Sequence, residues 1–134
     1  VNQIVGRVGR VTAPVFRDNP ARWGAWYVVH GAHVYSEFRR LTLDMLRSRP
    51  TTKLSADQVL HVVRWDSQLR AEGDVVAINN NASALFARLF VEEFPQHAEV
   101  FTQRRSVWDD LSSQEWQLIW NAFERLRSTR RRYA

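Results

Sequence analysis

Residues 77–94 read AINNNASALFARLFVEEF, three consecutive asparagines running straight into an apolar segment. One asparagine suffices to cap a helix, because its side-chain oxygen accepts from a backbone N–H that the first turn leaves unpaired. The apolar run predicts a helix over 81–94, and Pro95 ends it by disfavouring helical geometry in the residue before it. The residues PQHAEVF that follow are expected to form one further turn.

Working outward, SADQ at 55–58 is a capping box, with Gln58 three residues after Ser55. It predicts a helix from 55 to about 71, where EGD marks a turn. Val59, Val62, Val63 and Leu69 form its expected core stripe. VVAI at 75–78 is β-branched but short, at most one strand or an extended link. Upstream, DNPARWGAWYVVHG places Asn19 as a cap, Pro20 at the first helical position and Gly31 at the close. Its expected buried face is Trp23, Trp26, Tyr27 and His30. A helix over 32–48 follows, with Val34, Phe38, Leu41 and Met45 on one stripe. Downstream, SSQE at 112–115 is a second capping box, opening a helix whose stripe is Trp116, Ile119, Trp120, Phe123 and Leu126. The basic tail 128–134 has nothing to bury and is expected to fray. Residues 1–18 alternate apolar residues with glycine or arginine, as an edge strand or a basic arm would. The expected fold is therefore mainly α: about five helices in a single domain (1–134), a trihelical, helix-turn-helix-like centre and at most two short strands.

The 134 residues are 45% hydrophobic, enough for a real core. Cysteine is absent, which excludes disulfide scaffolds, thiolate metal sites and cysteine nucleophiles. No apolar run approaches the roughly 20 residues of a membrane span. The opening arginines are not followed by an uninterrupted apolar stretch, so no signal peptide is read and a cytoplasmic, membrane-free protein is expected. Eighteen arginines and one lysine oppose fourteen acidic residues, for a net charge of +5. Arginine forks suit phosphates and carboxylates, although a GC-rich genome yields the same bias without selection for binding. The excess lies at both ends of the chain, and the middle is net acidic.

No GxGxxG, P-loop, HExxH or GxSxG occurs, and no cofactor or metal site is expected. The histidines are His30, His33, His61 and His97. Gly31 separates the first two, and His30 lies in an aromatic stripe where a packed core histidine outweighs a ligand. The carboxylate pairs Glu92–Glu93 and Asp109–Asp110 are sequence neighbours that diverge around a helix. Asp66 is the exception, falling in the middle of the expected core stripe of helix 55–71. A buried carboxylate needs a partner. Asn81 and the asparagines before it, or Arg88, are within the next helix's reach, which predicts a polar clamp of Asp66 with Asn81 and Arg88. Arg64 is expected to point away from the stripe, towards a partner. Arg88 has a plainer alternative, an ion pair with Glu92 four residues on.

Helices 55–71 and 81–94 packed on helix 32–48 have the outline of helix-turn-helix DNA readers. Asn79, Asn80 and Asn81 would then stand where asparagine reads adenine edges. Arg7, Arg10 and Arg17 of the arm, Arg39, Arg40, Arg47 and Arg49, with Arg64, Arg88, Arg104 and the tail's Arg130, Arg131 and Arg132, would grip phosphate. Against this, the second helix carries one arginine and ends in two glutamates, and its surroundings are acidic.

Residues 62–105, a third of the chain, resemble a pattern in small uncharacterised proteins of phages, prophages and bacteria. Arg64-Trp65-Asp66, Ile78 to Asn81, Ala87-Arg88-Leu89, Pro95 and Phe101 to Arg104 carry it. After His30 the pattern has Asn-Pro where this chain has Gly31-Ala32, which bears on where the helix at 32 begins. The resemblance implies a phage or mobile-element setting and no particular chemistry. Three readings follow. One is a small nucleic-acid-associated protein. The second is a protein-binding module, such as a phage modulator of a host enzyme or a virion component, whose six tryptophans would serve an interface. The third is a nucleic-acid-processing enzyme using His61, Asp66 or Arg88.

Overall fold

In the computed structural model the described residues are 13–50, 53–69, 81–102 and 104–133, with the side chains of 66–69 and 129–133 left aside. They are mainly helical. Five α-helices are seen among them: α1 (Pro20–His30), α2 (Ala32–Ser48), α3 (Ala56–Leu69), α4 (Asn81–Glu93) and α5 (Ser113–Tyr133). Two short 3₁₀ turns, Pro95–His97 and Val107–Asp110, lie between α4 and α5. The first is the extra turn expected after Pro95. No strand occurs among the described residues. A single parallel bridge joins Leu54 to Phe101, with Leu54 N–H donating to the Val100 carbonyl at 2.8 Å and Thr102 N–H to the Leu54 carbonyl at 3.0 Å. The expected arm (Arg7, Arg10), the 75–78 strand, Asn79 and Asn80 lie outside the described residues.

The chain forms two compact units, the first from described residues of Val1–Ala32 and Val107–Ala134, the second from His33–Ser106. In the first, α1 packs along α5. Asn19 caps α1 through Oδ1, which accepts from Arg22 N–H at 3.1 Å, and Pro20 occupies the first turn. Gly31 closes it, its N–H donating to the Tyr27 carbonyl at 2.7 Å. Trp23 stacks on Tyr27 at 4.7 Å and meets Trp108 at 6.1 Å, while Phe16 sets its ring edge-on to both tryptophans. Trp26 and His30 are only half-buried. Residues with small side chains, Ala21 and Gly24, take up part of the buried face instead, because closely packed helices need short side chains at the crossing. The Ser112 box is reciprocal: Oγ accepts from Glu115 N–H at 3.1 Å and Glu115 Oε1 from Ser112 N–H at 2.8 Å. Ile119, Ala122 and Phe123 are the buried residues of α5 among its described side chains. The tail does not fray in the way expected: the helical backbone continues through Arg130, Arg131 and Arg132 to Tyr133.

The second unit is built around α4. Seven of its residues are buried, among them Leu85, Phe86, Leu89 and Phe90 with no exposed surface. Phe86 receives Tyr35 edge-on at 5.1 Å and Phe38 at 5.4 Å from α2, and Phe90 meets Phe101 edge-on at 5.7 Å. The face of α2 is rotated from the expected stripe. Tyr35, Thr42 and Leu46 join Val34 and Phe38 inside, Leu41 is half-buried and Met45 is 45% exposed. Thr42 fits there because its hydroxyl donates to the Phe38 carbonyl one turn back, at 2.8 Å. Similarly, α3 buries Ala56, Val59, Leu60 and Val63, whereas Val62, expected inside, is 51% exposed. In α2 the cause is that a tyrosine hydroxyl or a back-bonded threonine is admissible in a core, so hydrophobicity alone misassigns its phase; in α3 Leu60 takes the buried place instead of Val62.

Candidate functional site

The arginines of α2 meet carboxylates before they meet solvent. Arg40 bonds Glu37 at 2.9 Å and Asp44 at 3.3 Å, and Arg47 bonds Asp44 at 2.8 Å. These are exposed pairs worth a few tenths of a kcal/mol, but they cut the positive face that phosphate would meet. Arg49 is exposed beyond the helix end. Arg39 is committed more deeply: Nε lies 3.1 Å from Glu93 Oε2, and the guanidinium covers the Phe94 ring at 5.1 Å. The other Glu93 oxygen accepts from the Tyr35 hydroxyl at 2.9 Å. The Glu93 side chain is 6% exposed, so α2 holds the end of α4 through a buried carboxylate. Replacing Glu93 with alanine is expected to cost about 2 kcal/mol, the loss of two bonds to a charged group, discounted for the half-exposed Arg39. Glu93→Gln is expected to cost roughly half as much, since the amide oxygen still accepts one bond. Urea unfolding midpoints of the two variants would check the order.

The second polar link lies at the other end of α4. Ser83, buried, donates through its hydroxyl to Asp57 Oδ1, tying the first turn of α4 to the first turn of α3. Ser55 Oγ accepts from Gln58 N–H at 3.3 Å, as its capping box requires. Two clefts share Asp57 and Ser83 in their linings. One, of about 500 Å³, is lined by Asp57, Leu60, His61, Arg64 and Ser83. The other, of about 480 Å³, is lined by Ser55, Ala56, Asp57, Ser83, Ala84, Ala87, Arg88, Thr102, Arg104, Arg105 and Ser106. Arg88 reaches over this second cleft, donating to the Ala84 carbonyl at 2.9 Å and the Arg104 carbonyl at 3.1 Å.

The sequence-derived candidates divide accordingly. Arg64, Arg88 and Arg104 come to the clefts. Arg64 is half-buried and engaged within the protein rather than free. Asn81 opens α4 and is half-buried. The side chain of Asp66, and with it the clamp to Asn81 and Arg88, lies outside the described residues, as do Asn79, Asn80 and the side chains of Arg130 to Arg132. Among the residues of α4 only Glu92 is exposed. Asn81, Ala84, Arg88 and Val91 are half-buried and lie on its one partly open face. Asp57, Ser83, Tyr35 and Arg105 were not singled out in the sequence, and Glu93, named there only as one of a diverging carboxylate pair, has a buried side chain. The available signal was a serine inside an apolar helical run, which marks a buried hydroxyl in need of an acceptor.

His30 packs its ring on Trp26 at 4.7 Å, and burial lowers its pKa from the ordinary histidine value. It behaves as a packed aromatic, neutral at neutral pH. In the cleft the Ser83 hydroxyl bonds a carboxylate, and no three His, Asp or Glu side chains converge among the described residues. No family model, curated protein or solved structure matches the chain. No described helix is long and apolar enough to cross a membrane.

Proposed function

We propose that the protein is a small nucleic-acid-associated protein that grips the phosphate backbone with a basic helix end. The observation that carries this is the length of α5. It stays helical through the segment ERLRSTRRRY at 124–133, which holds five arginines and one glutamate. Arg127 is partly spent on Glu124 at 3.5 Å and on the Phe123 ring at 5.6 Å. One or two basic residues would complement the helix dipole; the surplus suits a polyanion. A phage or mobile-element setting inside a bacterial cell is supported by the resemblance of residues 62–105. On this reading the contacts are to backbone phosphates, without a recognition helix, and discrimination between sequences is weak.

The test is filter binding of the full chain to duplex DNA and to RNA across a salt series. Affinity is expected to fall steeply between low and moderate salt. A triple replacement of Arg130, Arg131 and Arg132 with serine is expected to reduce the slope on duplex DNA by about 2 to 3. Absent or salt-insensitive binding overturns the reading.

One observation favours a protein-binding module instead. Val62 and Trp65, three residues apart on α3, are 51% and 62% exposed, and tryptophan is enriched among the hot spots of protein interfaces. Capture of a defined host protein by the wild type, lost in Trp65→Ser and kept in the triple arginine variant, would select that reading.

A further inference from the structure

The cleft at the first turns of α3 and α4 brings two kinds of side chain together. Its lining includes three short apolar side chains, Ala56, Ala84 and Ala87, and three arginines, Arg88, Arg104 and Arg105. Its volume of about 480 Å³ lies in the usual range for small-ligand sites, roughly 300 to 1,000 Å³. Three guanidinium-bearing residues share a rim whose lining includes a single carboxylate, Asp57, and that carboxylate already accepts a hydrogen bond from Ser83. A bound anion with several oxygens supplies acceptors to such a rim. The arrangement is also partly rigid: the Arg88 fork is fixed by two backbone carbonyls, one of them belonging to Arg104. Arg104 is exposed, and its side chain has no bonded partner among the described residues.

We infer that this cleft binds a phosphate monoester of nucleotide size, its phosphate on the arginine rim and its organic body on the alanines. Arginine forks match phosphate oxygens in pairs, which a point charge does not. The two alanines of α4 leave the width a bulky residue would fill. The cleft's lining is drawn from the His33–Ser106 unit, and the inference is argued from those residues, apart from the nucleic-acid reading.

The experiment is calorimetric titration of the full chain with adenosine 5′-monophosphate, with adenosine, and with oligothymidylate carrying either a 5′-phosphate or a 5′-hydroxyl. The monophosphate is expected to bind at least about tenfold more tightly than adenosine, the equivalent of one charged hydrogen bond. Arg104→Ser, at an exposed position, is expected to weaken it about tenfold. Asp57→Asn is expected to tighten it several-fold by removing a repelling charge, whereas a purely structural role for Asp57 predicts weakening. The triple variant of Arg130, Arg131 and Arg132 is expected to leave it unchanged. Binding of the 5′-phosphorylated strand alone, lost in Arg104→Ser, assigns the monoester to a strand end, and binding of the mononucleotide assigns it to a free ligand. Equal binding of monophosphate and adenosine, binding of neither phosphorylated probe, or indifference to Arg104→Ser overturns the site.

Discussion

Phe86→Ala is expected to destabilise the His33–Ser106 unit by about 3 to 5 kcal/mol, the range for truncating a buried aromatic ring. The ring has no exposed surface, and the rings of Tyr35 and Phe38 close on it from α2. Two costs add: the apolar area returned to water, and the cavity left among neighbours that collapse only partly. The aromatic contacts themselves add roughly 0.5 to 1.5 kcal/mol for each well-oriented pair. Phe38 also meets Phe101 at 5.5 Å, so the loss reaches the segment bridged to Leu54. Denaturant unfolding followed by tryptophan fluorescence is expected to show a lower midpoint at unchanged slope. Val62→Ala is the matched control. With Val62 51% exposed, its expected cost is under about 1 kcal/mol. A large loss there would return α3 to the phase that its hydrophobicity alone assigns.

Gly24→Leu is expected to disrupt the other unit, by about 3 kcal/mol, at the top of the usual overpacking range. A Cβ at Gly24 would stand 2.8 Å from Ile119 Cδ1, 3.1 Å from the Trp108 ring and 3.2 Å from Ile119 Cγ1. Those atoms are in the core, with Ile119 fully buried and Trp108 5% exposed. Leucine adds three more carbons behind that Cβ, and α1 would have to lift from α5. Gly24→Ala is a different case. Its nearest contact is the flexible end of an isoleucine, and helix propensity returns about 1 kcal/mol, so the net cost is expected to stay below about 1 kcal/mol. A melting curve for each variant checks the contrast: a marked drop for leucine and little change for alanine.

The helices were legible for a local reason. Asn19, Pro20 and Gly31 act within one turn of the residues they cap, as do Ser55 with Gln58 and Ser112 with Glu115. No distant residue is needed to complete those bonds, so the written order of residues contains them. Which face each helix buries was less legible. Periodicity favours Val62 and Met45 as readily as Leu60 and Leu46, and it discounts Tyr35 and Thr42. The choice depends on whether a polar atom finds an acceptor, and Tyr35 finds Glu93 across 58 residues.

The candidate site is the extreme case of the same difference. Arginine bias, the capping serine at 55 and the isolated Arg88 were all visible in the chain. Their convergence was not, because the cleft draws residues from 55 to 57, 83 to 88 and 102 to 106. Among the arginines of α2, Arg40 and Arg47 pair with Glu37 and Asp44 three or four residues away, whereas the partner of Arg39, Glu93, is brought by the fold. By itself the sequence determined where α1 begins, which residues cap α3 and α5, and that the protein is mainly α, since the caps are interactions spanning three or four residues. Only the tertiary structure decided that Asp57 meets Ser83, that Arg39 is held by Glu93 and that three arginines share one rim. Those pairings join residues 26 to 58 positions apart or gather several segments at once, and no local propensity selects among the partners available at such separations.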